Sequence, residues 1–362
     1  MPKSQTSKPL DNLKNSLDDR ILYPWQYLEY LGEDDRTFIE KSEGIYLFDK
    51  TGRKLIDGPG GMWNVNVGHG VKEIADAVYA QIRSMPYASP FTESTEIAYN
   101  YASRLVKYAP GDLKRVFFTS GGSAAVDSAL RFVMFYNNVR GLRDKKQIIS
   151  RHDAYHGSTY LGASCSGKER DKNNFDFAND IVHHLSSPNP FRKPDDMSDE
   201  DFCDLKVKEL EDKIIELGPE KVAAFIAEPI LASGGVIVPP KGYQKKTLEV
   251  CRKYDVIYIS DEIVTGFGRL GHIFASENYF DIQPDIILLA KGITSGYVPC
   301  GAVVISERLM SQLDHKEKVI FSNGFTDSGH PVSMAAATAT LDYIEKTNLL
   351  DHVKEVGPYL QS

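Results

Sequence analysis

The sequence of 362 residues predicts an α/β fold with a mostly parallel sheet that is sandwiched by helices. Between Lys114 and Glu307, short apolar runs alternate with segments whose apolar residues recur at helical spacing. Nearly continuous apolar runs are typical of strands buried on both faces, and their alternation with helices is typical of a parallel sheet. The strand-like runs are RVFFTS, QIISRHD, VAAFIAEPI, VIYISDEI, DIILLAKGI and GAVVISE, and the clearest helical segments are SAAVDSALRFVMFYNNV and YQKKTLEVCRKY.

Three segments outside this alternating pattern complete the predicted layout. Residues 1–20 are polar and predict a weakly ordered lead-in. From Gly44, the run GIYLFD and the turn signal KTGRK predict a small antiparallel element. The stretch 186–202 is polar and contains proline, so we expect it to be a surface loop.

Composition and charge exclude several classes of function. The net charge is −8 with a pI near 5.7, and acidic and basic residues are interspersed, so nucleic acid is not expected as a partner. The N-terminus lacks the apolar core of a signal peptide, and no run approaches the ~18 apolar residues of a membrane helix, which predicts a soluble, cytoplasmic protein. The cysteines form no CxxC pair, so we expect reduced structural thiols and no metal site. They are Cys165, Cys203, Cys251 and Cys300.

Polar residues that follow the apolar runs are the first candidates for a site, because ligands of such sheets bind at the carboxyl ends of the strands. The run FFTS passes through Gly121 and Gly122 into a helical pattern, which favours the binding of an anion by the start of the helix. VIYIS leads directly into Asp261, and DIILLA leads directly into Lys291. Burying a charged residue beside a strand costs free energy unless the charge is paired or has a function.

Each of these features also has an ordinary structural explanation when taken alone. A glycine-rich turn, a solvated lysine at a strand end and an aspartate before a turn are all common. Together they are the parts that a pyridoxal phosphate site requires. The lysine binds the cofactor's aldehyde, the aspartate holds the pyridine nitrogen protonated, and the helix start binds the phosphate.

Seven motifs along nearly the whole chain resemble the class III aminotransferases, also called the ω-aminotransferase group, of the fold type I pyridoxal-phosphate enzymes. This resemblance implies a large cofactor-binding domain of α/β type and a small α+β domain. The motifs are DGPGGMWNVNVGHG (57–70), SGGSAAVDSAL (120–130), DAYHGST (153–159), AEPILASGG (227–235), SDEIVTGFGRLG (260–271), LLAKGITSG (288–296) and GFTDSGHP (324–331).

The resemblance implies a role for the residues at the strand ends. Lys291 would form the Schiff base with the cofactor and Asp261 would pair with the pyridine nitrogen. Gly122 and Ser123 would bind the phosphate. Thr326 would reach the phosphate of a neighbouring subunit, so the family precedent implies a homodimer or homotetramer with shared active sites.

The same resemblance implies how the cofactor ring would be held. Tyr155 would stack on the ring with His156 and Gly157 beside it, Ile263 would pack on the opposite face, and Glu228 would lie near the ring hydroxyl. The alternatives are a core aromatic for Tyr155, a satisfied buried histidine for His156 and a surface acid for Glu228.

Two aromatic residues are expected as walls of the substrate pocket, and two positions depart from the family pattern. Trp63 and Phe91 would line the pocket and favour amines with an apolar or extended chain, although Trp63 could also be a core aromatic.

Ala124 stands where many relatives carry an acid. Asp327 stands where an aromatic residue is common, and its carboxylate would weaken cofactor binding unless it points away.

The resemblance also implies a domain organisation and a missing region. We expect an N-terminal segment over 1–69 that contributes to the small domain and a large cofactor-binding domain over 70–330. Residues 331–362 would form a connecting helix and the start of a truncated C-terminal small domain. Relatives continue for roughly a hundred residues more, about the size of a small domain. Without that region the site would be more open and turnover would be impaired.

The function implied is transfer of an amino group from a primary amine or ω-amino acid to a keto acid, often pyruvate, in a ping-pong cycle. Two alternatives stay open. One is an aminomutase or decarboxylase of the same fold, and the other is a catalytically impaired remnant that acts only in dimerisation or cofactor binding. A metal-dependent or NAD-dependent enzyme is disfavoured, because the sequence has no ligand-spaced His/Cys cluster and no GxGxxG after a strand.

Overall fold

The N-terminal unit of the chain carries a small sheet. The computed structural model describes residues 21–30, 36–313 and 319–362, so the polar segment 1–20 lies outside the described residues. The chain divides into two units after Asp57. The first unit contains an antiparallel sheet of β1 (Ile39–Glu43), β2 (Tyr46–Asp49) and β3 (Lys54–Ile56). The antiparallel element predicted after Gly44 is confirmed.

The second unit is built on a seven-stranded sheet in the order β4-β10-β9-β8-β7-β5-β6. Every apolar run that we predicted to be a strand is one. The remaining strand, β6, was not predicted, because it has only four residues and two of them are histidines. The strands are β4 (Leu113–Thr119), β5 (Gln147–Arg151), β6 (Val182–Leu185), β7 (Val222–Ala227), β8 (Ile257–Asp261), β9 (Ile286–Leu289) and β10 (Gly301–Ser306).

The direction of the strands sets where the sheet can form a site. Among these seven strands, β10 runs antiparallel to both of its neighbours, β4 and β9. The pairs β5–β6, β5–β7, β7–β8 and β8–β9 are parallel. Strand β4 therefore runs in the same direction as β5 to β9, and the carboxyl ends of these six strands meet at one edge of the sheet.

Helices connect and cover the strands. They are α1 (Lys72–Ser84), α2 (Glu96–Leu105), α3 (Gly122–Val139), α4 (Tyr160–Cys165), α5 (Asp199–Leu217), α6 (Tyr243–Lys253), α7 (Ala275–Asn278), α8 (Glu307–Met310), α9 (Pro331–Lys346) and α10 (Leu349–Gln361). The two predicted helical segments form α3 and α6. Helix α5 begins inside the stretch predicted to be a loop, because Oγ of Ser198 accepts a hydrogen bond from the N–H of Asp201 at 3.0 Å and caps the helix.

Both faces of the sheet are packed. In β9, Leu288 belongs to the core cluster that contains Leu130 of α3, and the next residue, Leu289, belongs to the cluster that contains Met334 of α9. Successive side chains of a strand point to opposite faces, so helices cover the sheet on both sides. The predicted α/β architecture is confirmed. The domain boundaries given above stay a prediction.

A tight left-handed turn precedes α1. Four consecutive residues from Gly60 to Trp63 have φ between 56° and 66°. Glycine adopts this backbone region without penalty, whereas Met62 and Trp63 do so at a cost in free energy. The turn determines where the Trp63 ring lies.

Candidate active site

A cavity of about 390 Å³ lies at the carboxyl edge of the seven-stranded sheet. This volume is within the range of about 300–1,000 Å³ that is typical of small-molecule sites. The structure brings nine of the residues singled out in the sequence to its wall. They are Gly122, Ser123, Tyr155, His156, Gly157, Glu228, Asp261, Ile263 and Lys291.

One end of the cavity is suited to an anion. Gly121 precedes the 18-residue helix α3 and provides no side-chain cap, so the first N–H groups and the positive end of the helix dipole face the cavity. Oγ of Ser123 accepts a hydrogen bond from the N–H of Ser158 at 3.0 Å. Gly157 has φ of +110°, and a Cβ there would lie 2.6 Å from Oγ of Ser123. The turn around Gly157 is therefore packed closely against the start of α3.

The acid of the site is held by a histidine. Asp261 and His156 are 4% and 1% exposed, and Oδ2 of Asp261 lies 2.7 Å from Nδ1 of His156. Oδ1 of Asp261 accepts a hydrogen bond from the N–H of Ile263 at 3.2 Å. Nε2 of His156 is buried and has no partner in the part of the chain that the structure describes. The aspartate is thus fixed from two directions while it still lines the cavity.

Lys291 follows β9 and begins a 3-10 turn, Lys291–Ile293. Burial lowers the pKa of its amine. Asp261 and Glu228 act in the opposite direction and raise this pKa, and the positive charge of Arg269 lowers it further. Nζ lies 5.3 Å from the centroid of the Trp63 ring. The environment therefore increases the fraction of neutral amine at a given pH.

Glu228 joins two segments of backbone. Its carboxylate is buried and accepts hydrogen bonds from the N–H groups of Tyr155 at 2.9 Å and Ala232 at 3.1 Å. Burial raises the pKa of this carboxyl group. Nη2 of the fully buried Arg151 donates to the backbone carbonyl of Glu228 at 2.6 Å. These contacts hold the backbone of Tyr155 against the strand end.

Three of the residues singled out in the sequence do not line the cavity. The ring of Trp63 lies beneath Nζ of Lys291, with its centroid 5.3 Å from that atom. Phe91 is 68% exposed. Thr326 is exposed, and its backbone carbonyl accepts a hydrogen bond from the hydroxyl of Tyr87 at 3.1 Å. The roles expected for these three residues stay predictions.

The two departures from the family pattern also lie outside the cavity wall. Ala124 belongs to the first turn of α3, and the start of the helix is formed without a carboxylate at that position. Asp327 is exposed, and its backbone carbonyl accepts a hydrogen bond from the N–H of His330 at 3.2 Å. The expected effect of Asp327 on cofactor binding stays a prediction.

The cavity wall also contains residues that the sequence did not assign to the site, among them Asn64, Val264, Thr294 and Cys300. The first three lie inside the quoted motifs, so those motifs contained a signal for them. Cys300 lies outside every motif, directly before β10. Burial raises the pKa of its thiol to about 12, which makes it an inert part of the wall.

Other features of the described chain bear on the class of site. The four cysteines are free and buried. Within residues 21–30, 36–313 and 319–362, no group of three His, Cys, Asp or Glu side chains could hold a metal ion. In the same ranges, no helix is long and apolar enough to cross a membrane.

The residues around the cavity fit pyridoxal phosphate. The uncapped start of α3 suits the phosphate, and the close approach of Gly157 to Ser123 leaves no room for a side chain beside it. Asp261 presents a buried carboxylate to the cavity and Lys291 presents an amine. Together with the sheet order, these features define an enzyme of the fold type I pyridoxal-phosphate class.

The family model of the class III aminotransferases matches residues 31–362, and the chain belongs to this family. It is a pyridoxal-phosphate-dependent transaminase by family, and pyridoxal 5′-phosphate is its cofactor. The recognition made from the seven motifs is confirmed.

Individual relatives support this assignment. The chain is 39% identical over 345 residues to a putrescine–pyruvate aminotransferase of Pseudomonas aeruginosa, covering 95% of this chain and 75% of that protein. It is 39% identical over 329 residues to a mitochondrial γ-aminobutyrate transaminase of Oryza sativa subsp. indica, covering 89% of this chain and 63% of that protein. The solved ω-transaminase of Pseudomonas jessenii in complex with PMP superposes with a TM-score of 0.91 at 35% identity, covering 98% and 78% of the two chains.

Proposed function

We propose that this protein transfers an amino group from a primary amine or ω-amino acid to a keto acid, with pyruvate as the acceptor, in a ping-pong cycle. The observation that carries the proposal is that Lys291, Asp261 and the start of α3 all face one cavity. The names of the relatives support the choice of substrates, since one acts on putrescine and pyruvate and another on γ-aminobutyrate.

We assign the cofactor contacts to the residues that line the cavity. Gly122 and Ser123 at the start of α3 bind the phosphate, and Asp261 binds the pyridine nitrogen. Tyr155 and Ile263 hold the two faces of the ring. Bound pyridoxal phosphate supplies an electron sink for the carbanion that forms at the substrate carbon.

Lys291 has two tasks in this proposal. Its neutral amine would bind the aldehyde of the cofactor, and burial favours this neutral form because it lowers the pKa of the amine. Nζ would also serve as the base and acid that moves a proton at the substrate carbon, chemistry that bound pyridoxal phosphate would make possible. The ring of Trp63 limits where Nζ can swing.

His156 and Glu228 position the groups that touch the cofactor. His156 orients the carboxylate of Asp261 through the contact between Nδ1 and Oδ2. Glu228 holds the N–H of Tyr155, and with it the turn that continues to His156 and Gly157. We propose that its carboxylate also lies near the ring hydroxyl. Both positioning groups are themselves buried, which keeps their contacts away from competing water.

The remaining assignments concern substrate, assembly and location. We assign Trp63 and Phe91 to the walls of the substrate pocket and Thr326 to the phosphate site of a neighbouring subunit. This makes the working enzyme a homodimer or homotetramer with shared sites. A cytoplasmic location accords with the four free thiols.

The test is an absorbance spectrum of the purified protein with added pyridoxal phosphate, compared with Lys291→Ala and with Lys107→Ala as an exposed control. We expect a cofactor band that requires Lys291, survives in the control, and bleaches when putrescine or γ-aminobutyrate is added. Pyruvate should then restore the band and yield alanine. Loss of carbon dioxide, or a shifted amino group without alanine, would indicate a decarboxylase or aminomutase. A band that forms equally well in Lys291→Ala would refute the assignment of Lys291.

A further inference from the structure

The backbone at Lys291 is strained. Lys291 has φ of +43°, in the left-handed region that residues with a side chain rarely occupy, and Ser295 a little further along has φ of +52°. Such strain persists only where the surrounding structure holds it. Some contact must therefore fix the connection between β9 and β10 in which both residues lie.

The next residue shows which side chain supplies that contact. A Cβ at Gly292 would lie 2.5 Å from Nδ2 of Asn66 and 2.7 Å from Cβ of Phe267. The peptide that follows Lys291 is therefore pressed directly against the amide of Asn66. Beside this contact, the N–H of Val67 donates to Oγ of Ser295 at 3.0 Å. The segment around Asn66 thus touches both ends of the turn that carries the lysine.

Asn66 itself is held by hydrogen bonds to residues 266–271, the second half of the motif SDEIVTGFGRLG. Its Nδ2 donates to the backbone carbonyl of Phe267 at 2.9 Å, and its Oδ1 accepts from Nη2 of Arg269 at 2.6 Å. A short contact with a charged donor is among the stronger hydrogen bonds in proteins. Arg269 therefore determines the orientation of the amide that supports Gly292.

Arg269 is joined through Asn66 to the peptide that follows Lys291, so its charge also bears on the lysine. The guanidinium is half-buried, and its Nε has no partner among the described residues. The charged groups that act on Lys291 are Asp261 and Glu228, which favour the protonated amine, and Arg269, which disfavours it. Arg269 is the cation among them.

We propose that Arg269 is a positioning residue for Lys291, which holds the backbone of the lysine through Asn66 and opposes a second positive charge at Nζ. The proposal rests on the function proposed for Lys291. It adds two separable effects, because the contact with Asn66 depends on the shape of the guanidinium, whereas the charge effect does not. A lysine at position 269 would keep the charge but lose the planar donor geometry.

Three variants separate these effects. Arg269→Met removes both the hydrogen bond and the charge, Arg269→Lys keeps the charge, and Asn66→Ala removes the support of Gly292 while Arg269 stays. Arg143→Met, at an exposed position, is the control. Circular dichroism and thermal unfolding verify that each variant is folded.

The first readout needs no cofactor. The apoprotein is labelled with an acylating reagent across pH, and modification of Lys291 is followed by mass spectrometry with exposed Lys107 as an internal reference. We expect the labelling midpoint of Lys291 to move to higher pH in Arg269→Met and to stay near that of the wild type in Arg269→Lys and Asn66→Ala. An unchanged midpoint in a folded Arg269→Met would overturn the charge effect.

The second readout is retention of pyridoxal phosphate during dialysis, followed by its absorbance. All three variants should lose the cofactor faster than Arg143→Met, on the order of tenfold, because the backbone of Lys291 is no longer held. Wild-type retention in both Asn66→Ala and Arg269→Lys would overturn the positioning role. If Arg269→Met does not fold, the retention of the cofactor by these two variants still tests the positioning role of Arg269. If the wild type showed no Lys291-dependent band, the proposed function would fail, while the labelling midpoint would still report on Arg269.

Discussion

His156 and Asp261 meet at 2.7 Å, between Nδ1 and Oδ2, in surroundings that leave 1% and 4% of the two residues exposed. The next residue, Glu262, is equally buried but faces another part of the chain. Its carboxylate accepts hydrogen bonds from the N–H groups of Ala275 at 2.6 Å and Ser276 at 2.9 Å, which lie at the start of α7. Two adjacent buried acids therefore perform different tasks.

This difference predicts opposite effects for two conservative substitutions. Asp261→Asn removes the charge that faces the cavity, so we expect kcat to fall by on the order of 100-fold with little change in Tm. Glu262→Gln places an amide donor opposite backbone N–H groups and should cost about 1–3 kcal/mol of stability, with kcat per folded molecule near that of the wild type. Steady-state kinetics and calorimetry measure both. The reverse pattern would show that the two carboxylates have been assigned to the wrong tasks.

The contact between Gly157 and Ser123 predicts a steric effect on cofactor binding. In Gly157→Ala the added Cβ would lie 2.6 Å from Oγ of Ser123 on a backbone with φ of +110°, so the turn must move away from α3. Strain of about 1–3 kcal/mol corresponds to a loss of affinity for pyridoxal phosphate of about tenfold or more. Gly357→Ala is the control, because a Cβ there meets no atom within 4 Å and Gly357 does not line the cavity. Equal affinities of the two variants, measured by fluorescence titration, would contradict this explanation.

The lowered pKa of Lys291 predicts how the stability of the apoprotein depends on pH. Burial places the folded-state pKa below the ordinary value of 10.5, so between these two values the unfolded chain binds more protons and stability rises with pH. Below this window the wild type bears the cost of a buried charge, which Lys291→Met removes.

We therefore expect apo Lys291→Met to have a higher Tm than the wild type at pH 7, with a smaller difference at pH 10. Lys107→Met, at an exposed position, should show neither effect. A Lys291→Met variant that melts below the wild type at pH 7 would mean that the amine stabilises the apoprotein.

The buried cysteines predict resistance to alkylation. Burial raises the pKa of both Cys165 and Cys300 to about 12, so almost no thiolate is present at pH 8. Iodoacetamide should leave all four thiols of the native protein unmodified over an hour and modify all four in guanidinium chloride. Rapid labelling of Cys300 in the native state would show that the cavity opens further than the structure indicates.

The site residues that follow the strands could be predicted from the sequence, whereas the side-chain hydrogen bonds between distant segments of the site could not. Asp261 and Lys291 each follow an apolar run, and parallel strands deliver their ends to the same edge, so the order of residues along the chain was sufficient. The bonds from His156 to Asp261 and from Arg269 to Asn66 join residues 105 and 203 positions apart. Their formation depends on the tertiary packing of turns, which leaves no periodic signal in the sequence. The left-handed turn from Gly60 to Trp63 likewise has no counterpart in hydrophobic periodicity.

The antiparallel strand β10 has a consequence for the order in which the molecule forms. Thr119 at the end of β4 pairs with Gly301 of β10, about 180 positions later in the chain, so the start of α3 and the β9–β10 connection meet through this pairing. Contacts of such long range form late and slowly during folding. The sheet that carries the phosphate end and the lysine end of the cavity is therefore complete only once β10 has been synthesised. A ligand that binds both ends of the cavity would stabilise the chains in which this last strand has been inserted, because it binds the folded state alone.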